Sequence, residues 1–106
     1  MTPVREGDFQ KLVIDYARLK GWRVAHFRPA QRRDGAWMTP VAADGAGFPD
    51  LCMVRRGRLV FAELKRKGVR KVRDEQAAWL DALDGAGIET YVWNPLDWEQ
   101  VQERLA

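Results

Sequence analysis

Residues 50–65 read DLCMVRRGRLVFAELK. Two apolar-rich runs, Asp50 to Arg56 and Arg58 to Lys65, are separated by a single glycine, Gly57. This pattern predicts an antiparallel hairpin whose tight turn needs that glycine. In a hairpin the start of one strand lies beside the end of the other, so Asp50 should fall close to Glu63 and Lys65. Side chains alternate along a strand, which places Glu63 and Lys65 on the same face. Two carboxylates and an amine at one sheet end are costly, because like charges repel and buried acids lose hydration. A divalent cation bridging Asp50 and Glu63 offsets both costs. Lys65 beside it could hold or deprotonate a water, or stabilise a phosphate in the transition state. The alternative is that Glu63 and Lys65 pair at a sheet edge while Asp50 is a turn residue after Pro49. The Pro-Asp step, the LVFA run into Glu63 and the basic run after Lys65 favour the cation site.

Outward from the hairpin, the pattern predicts one helix, three strands, a helix, a strand and a short helix. Phe9, Leu12, Val13, Tyr16 and Ala17 recur at helical spacing, in a helix from about Thr2 or Arg5 to Lys20 that Gly21 ends. Trp22 to Arg28 reads as the first strand. Pro29 to Pro49 shows no clear periodicity, and a stretch of that length in a small domain is often functional. Asp74 is read as the cap of a helix through Asp84 with Gln76, Trp79, Leu80 and Leu83 on one stripe. Ile88 to Trp93 forms a fourth strand, and Pro95 with Leu96, Val101 and Leu105 opens a closing helix.

Length and composition narrow the chemistry. The 106 residues suit one domain, 1–106. The longest apolar runs, Leu59 to Ala62 among them, are far shorter than the roughly 20 residues that span a bilayer. No signal-peptide pattern opens the chain, so a cytoplasmic protein with no membrane partner is expected. One cysteine, Cys52, excludes an internal disulfide, and one histidine, His26, excludes a His-cluster metal site. Any metal must therefore be held by carboxylates, which points to Mg²⁺ or Mn²⁺. The net charge of +3 hides a division: residues 1–73 carry +10 and residues 74–106 carry −7. The basic run from Arg55 to Arg73, with Glu63 as its single acid, suits a polyanion such as nucleic acid.

Gly47-Phe48-Pro49-Asp50, then Glu63-Leu64-Lys65, then Gln76 in a following helix resembles the PD-(D/E)xK nuclease superfamily. More narrowly, the chain resembles a stand-alone VRR-NUC domain of the bacterial and phage type. Phe9-Gln10, Gly21-Trp22, GFPDL, AELK, Glu75-Gln76 before Trp79-Leu80, and the late YVW-N-P-x-D-W run fall in the expected order along nearly the whole chain. The resemblance implies an α/β (α+β) fold with a restriction-endonuclease-like αβββαβ core, a mixed four-stranded sheet flanked by helices. It implies that Asp50, Glu63 and the Leu64 backbone carbonyl ligate Mg²⁺ or Mn²⁺, that Lys65 orients the attacking water, and that Gln76 supports the site or contacts substrate. It also implies a first-helix acid. Glu6 is chosen over Asp8, with a first-turn dipole partner as the alternative reading of Glu6.

The implied reaction is metal-dependent hydrolysis of a phosphodiester in structured DNA, leaving a 5′-phosphate and a 3′-hydroxyl. The implied substrate is branched, such as a four-way junction, and the implied assembly is a homodimer. Arg32, Arg33, Arg66, Lys67, Arg70, Lys71 and Arg73 are the candidate DNA contacts. His26 reads as a packing or hydrogen-bonding residue and Cys52 as a small hydrophobe. Trp37 is either a base-stacking residue or an anchor for its loop. Two other classes stay open: a non-catalytic nucleic-acid-binding module on the same scaffold, and a protein-interaction module.

Overall fold

The computed structural model describes residues 6–27, 30–31, 33–38 and 41–106, with the backbone alone at 6, 30, 31, 37 and 38. In chain order the elements are helix α1 (Glu6–Leu19), strands β1 (Arg23–His26), β2 (Ala30–Gln31), β3 (Trp37–Met38), β4 (Leu51–Arg55) and β5 (Arg58–Leu64), helix α2 (Asp74–Gly85), strand β6 (Glu89–Trp93), a 3-10 turn (Pro95–Asp97) and helix α3 (Trp98–Leu105). Four strands form one mixed sheet in the order β1-β4-β5-β6. β1, β4 and β5 are antiparallel neighbours, and β6 returns through α2 to lie parallel to β5. This is the αβββαβ arrangement expected from the sequence.

The hairpin register pairs Arg55 with Arg58 and Leu51 with Ala62. Its turn has two residues rather than one, because Arg56 as well as Gly57 takes positive φ, 47° and 81°. That is the combination a two-residue hairpin loop needs to follow the strand twist. Alternation along β5 then divides the side chains. Val60, Ala62 and Leu64 join Leu51 and Met53 in a core closed by Phe9, Val13 and Ala17 of α1 and by Val101 and Leu105 of α3. Phe61 and Glu63 point to the opposite face, which α2 and the segment 41–48 cover. All five residues from Val60 to Leu64 are buried, as expected of a strand covered on both sides.

Two sequence expectations change. Residues 29–49 are not wholly irregular, since β2 and β3 pair as a two-stranded ribbon; strands of two residues carry too little periodicity to be seen. Asp74 does not cap α2. The N-cap is Arg73, in extended conformation, and Asp74 is the first helical residue, placed where a negative charge meets the helix dipole.

Candidate active site

Register brings Asp50, one residue before β4, opposite Glu63, the penultimate residue of β5. The Asp50 carboxylate accepts a hydrogen bond from the backbone N–H of Leu64 at 2.8 Å, which fixes it at the sheet end. Leu64 thus meets Asp50 through its N–H. Glu63 is only 4% exposed. Its Oε2 accepts from the Gln76 amide at 2.6 Å and lies 3.3 Å from the Lys65 ammonium. The Gln76 carbonyl oxygen in turn accepts from Lys65 Nζ and from the Arg73 backbone N–H, each at 2.9 Å. Gln76 thus uses both ends of its amide to hold the acid and the amine in register. It does so from the first turn of α2, where the N–H of Arg73 is a free donor.

Glu63 Oε1 is buried and has no hydrogen-bond partner of ordinary geometry among the described residues. Burial pushes the Glu63 carboxyl up to about 7, the Asp50 charge adds to the effect, and Lys65 opposes it. Burial likewise raises Asp50, against the pull of the Leu64 N–H, His26, a side-chain hydrogen bond with Glu63, and Lys65. Two acids that resist ionisation and one orphaned, buried oxygen are what hard-cation binding relieves. The residues present therefore fit Mg²⁺ or Mn²⁺, with Asp50 and Glu63 as the side chains that would hold it. Among the described residues no group of three or more His, Cys, Asp or Glu forms a ligand cluster.

These groups lie in a groove of about 1140 Å³. Its opposite wall is the segment 41–48, and two contacts lock that segment onto α2. Gly47, at φ 81°, sits so near the helix that a Cβ there would lie 2.6 Å from the Glu75 carbonyl carbon. The Trp79 indole N–H donates to the Asp44 carbonyl at 2.8 Å. Phe48 fills the space behind, meeting Phe27, Phe61 and Trp79 edge-on at 4.9–5.4 Å between ring centroids.

The fold thus has a hairpin end that joins carboxylates to a lysine, and a glutamine delivered by the crossover helix. The same chain path occurs in a solved structure described as "VRR_NUC domain". It matches with a TM-score of 0.68 and 22% identity over 95% of this chain and 94% of that one. The chain has the fold of a VRR_NUC domain. No family profile and no curated protein matches the sequence.

On this VRR_NUC fold, Asp50, Glu63, Lys65 and Gln76 come together. The Glu6 side chain and Arg32 lie outside the described residues, as does the Trp37 side chain; Asp8, the other first-helix acid, is exposed. Of the expected DNA contacts, Arg66 and Arg73 line the groove. Arg33, Lys67 and Lys71 are exposed elsewhere. Arg70 is engaged by a two-pronged ion pair with Asp97 at 2.8 and 2.9 Å. That pair, with Arg58 on Glu89, shows acids of the carboxy-terminal third neutralising the basic run within one chain. Sequence reasoning marked residues 29–49 as a functional stretch and Gly47-Phe48 as part of the motif, without assigning 41–46 to a groove wall or giving His26 an electrostatic part at Asp50. The available signals were Gly47 next to Phe48, and Trp79 on the Gln76 stripe. Among the described residues no helix is long and apolar enough to cross a membrane.

Proposed function

We propose that this chain is a member of the VRR-NUC family and a metal-dependent endonuclease that hydrolyses phosphodiesters in structured DNA, with branched or four-way junctions as substrate. The observation that carries the reading is the burial of Glu63 beside Asp50 and Lys65, with its Oε1 in no hydrogen bond of ordinary geometry. Two neighbouring acids taken out of water stay ionised only when positive charge offsets them, and one lysine lies within reach of both. The VRR_NUC fold supports the same class of chemistry.

Asp50, Glu63 and the Leu64 carbonyl would hold Mg²⁺ or Mn²⁺. When bound, such a cation polarises a non-bridging phosphate oxygen and makes a nucleophile available at neutral pH. Lys65, held between Glu63 and Gln76, carries the positive charge that orients the attacking water and meets charge developing on the phosphate. Gln76 positions both groups without itself ionising. Arg66 and Arg73 draw the DNA backbone into the groove. Glu6 at the start of α1 is the proposed third acid, and a homodimer would present two such sites to one junction. A cytoplasmic location goes with this reading.

The test is cleavage of four-way junction, flap, single-stranded and duplex DNA with Mg²⁺ or Mn²⁺, alongside sizing in solution. Wild type should cut the branched substrates. Asp50→Ala and Lys65→Ala should lower the rate by on the order of 10²-fold or more while retaining DNA binding. A wild type that binds DNA but cuts none of these would instead make the chain a binding module.

A further inference from the structure

The groove is larger than a phosphate and a cation need. About 1140 Å³ exceeds the roughly 300–1,000 Å³ of clefts that take whole small molecules. It is also two-sided. One side holds Asp50, Glu63, Lys65, Arg66 and Arg73; the other presents Phe27, Val41 and Phe48. Phe27 is 39% exposed and Val41 48%, so two of the large apolar residues left open to solvent face this groove.

Phe27 is tied to the acidic side by its backbone. Its N–H donates to the Asp50 carbonyl at 3.0 Å, one step beyond the pairing of His26 with Leu51. Its ring therefore stands on the same sheet face as Asp50 and packs edge-on against Phe48, leaving part of the ring uncovered. The wall behind is seated on α2 by the close approach of Gly47 and the Trp79 bond to Asp44. An intact duplex offers a protein surface its charged phosphates and sugars, with its base faces already stacked. It would leave Phe27 and Val41 wet. An unpaired nucleotide offers both chemistries at once: a phosphate for the cationic side and an apolar ring for the other.

Resting on the nuclease reading above, we propose that the Phe27–Val41 side of the groove is a subsite for the base of an unpaired nucleotide whose phosphate lies at Asp50, Glu63 and Lys65. The charged rim selects DNA; the apolar wall selects a position where the bases are not paired. Phe27 and Val41 are then specificity residues, outside the catalytic set.

The experiment measures binding of a 20-nucleotide single strand and of its duplex, in EDTA, by fluorescence anisotropy. It compares wild type with Phe27→Ala, Phe27→Leu and Val41→Ser. Both Phe27 variants should weaken single-strand binding by about tenfold, the scale of one aromatic–base contact, with duplex binding unchanged. Val41→Ser should weaken it in the same direction by less. Melting temperatures check that the fold persists; Phe27→Leu keeps the packing on Phe48 if Phe27→Ala does not. Equal losses on single strand and duplex, or no loss on either, would overturn the subsite and leave the nuclease reading intact. Failure of wild type to bind either DNA would overturn both.

Discussion

The two ends of the β4–β5 hairpin use the same residue types to opposite ends. At the turn end, Arg58 donates two hydrogen bonds to Glu89 at 2.8 and 2.9 Å. Arg55 and Arg58 both stack over Trp22, 4.6 and 5.0 Å from its ring centroid. Charges there are two-fifths exposed and paired, and Arg58 holds the Glu89 carboxyl below its ordinary range. At the open end, Asp50 and Glu63 are pushed the other way, with an orphaned oxygen and one lysine to share. Ion pairs built for structure sit at the rim and are satisfied within the chain. Those at the other end are buried, and Glu63 Oε1 there has no hydrogen bond of ordinary geometry among the described residues.

The contrast can be broken most forcefully through the wall that encloses the open end. Gly47→Val puts a side chain where no room exists and on a backbone at φ 81°. It should cost about 2–4 kcal/mol in urea denaturation, more than Gly57→Val at the hairpin turn, where the backbone is equally strained but an added Cβ meets nothing within 4 Å. A Gly47→Val protein as stable as wild type would show that the segment 41–48 does not depend on its seat against α2.

A second test concerns charge. Glu63 titrates near 4.5 when unfolded and near 7 when folded, so its protonated form is favoured by folding. That contribution is fully present below about pH 4.5, declines as pH rises, and is gone above about 7. In metal-free protein, wild type should therefore lose about 1–3 kcal/mol of stability relative to Glu63→Gln between pH 4.5 and 7, read from paired denaturation curves. A flat difference would mean that the acid is solvated.

The smallest effect belongs to the turn end. Arg58→Ala should cost about 0.5–1 kcal/mol at pH 7, less in high salt, because its pair with Glu89 is screened. Since Glu89 is depressed, the pair's contribution is present above its unfolded value of about 4.5 and fades as pH falls below it. Melting curves at pH 7 and pH 3 check the sign. The two ends should thus respond to acid in opposite directions.

Much of this was legible in residues 50–65. The alternation of LVFAELK fixed which side chains share a face, and Gly57 located the fold-back, so the meeting of Asp50, Glu63 and Lys65 followed from counting. Periodicity put Gln76 on one stripe with Trp79, and the family resemblance alone gave it a part in the site. What sequence could not carry was contact between elements distant in the chain. The seat of Gly47 on Glu75, the Trp79 bond to Asp44 and the capture of Arg70 by Asp97 each join segments with no shared periodicity. Arg70 shows the cost of reading charge alone, since a basic run lists its cations without saying which are already spoken for.

The turn after β6 has a bearing on how the protein comes into being. Asn94, wholly buried, donates to the Val69 carbonyl, and Asp97 clasps Arg70 while accepting from the Asn94 N–H. The stretch that leads from Lys65 to Arg73 is therefore shaped by residues made some 25 positions later. During synthesis the acids can meet as soon as their hairpin closes, but the contacts that shape the cationic lip beside them wait for residues 94–97. Until Asp97 is in place the Arg70 charge has no such counterpart, so the later acids both shape this stretch and temper its charge.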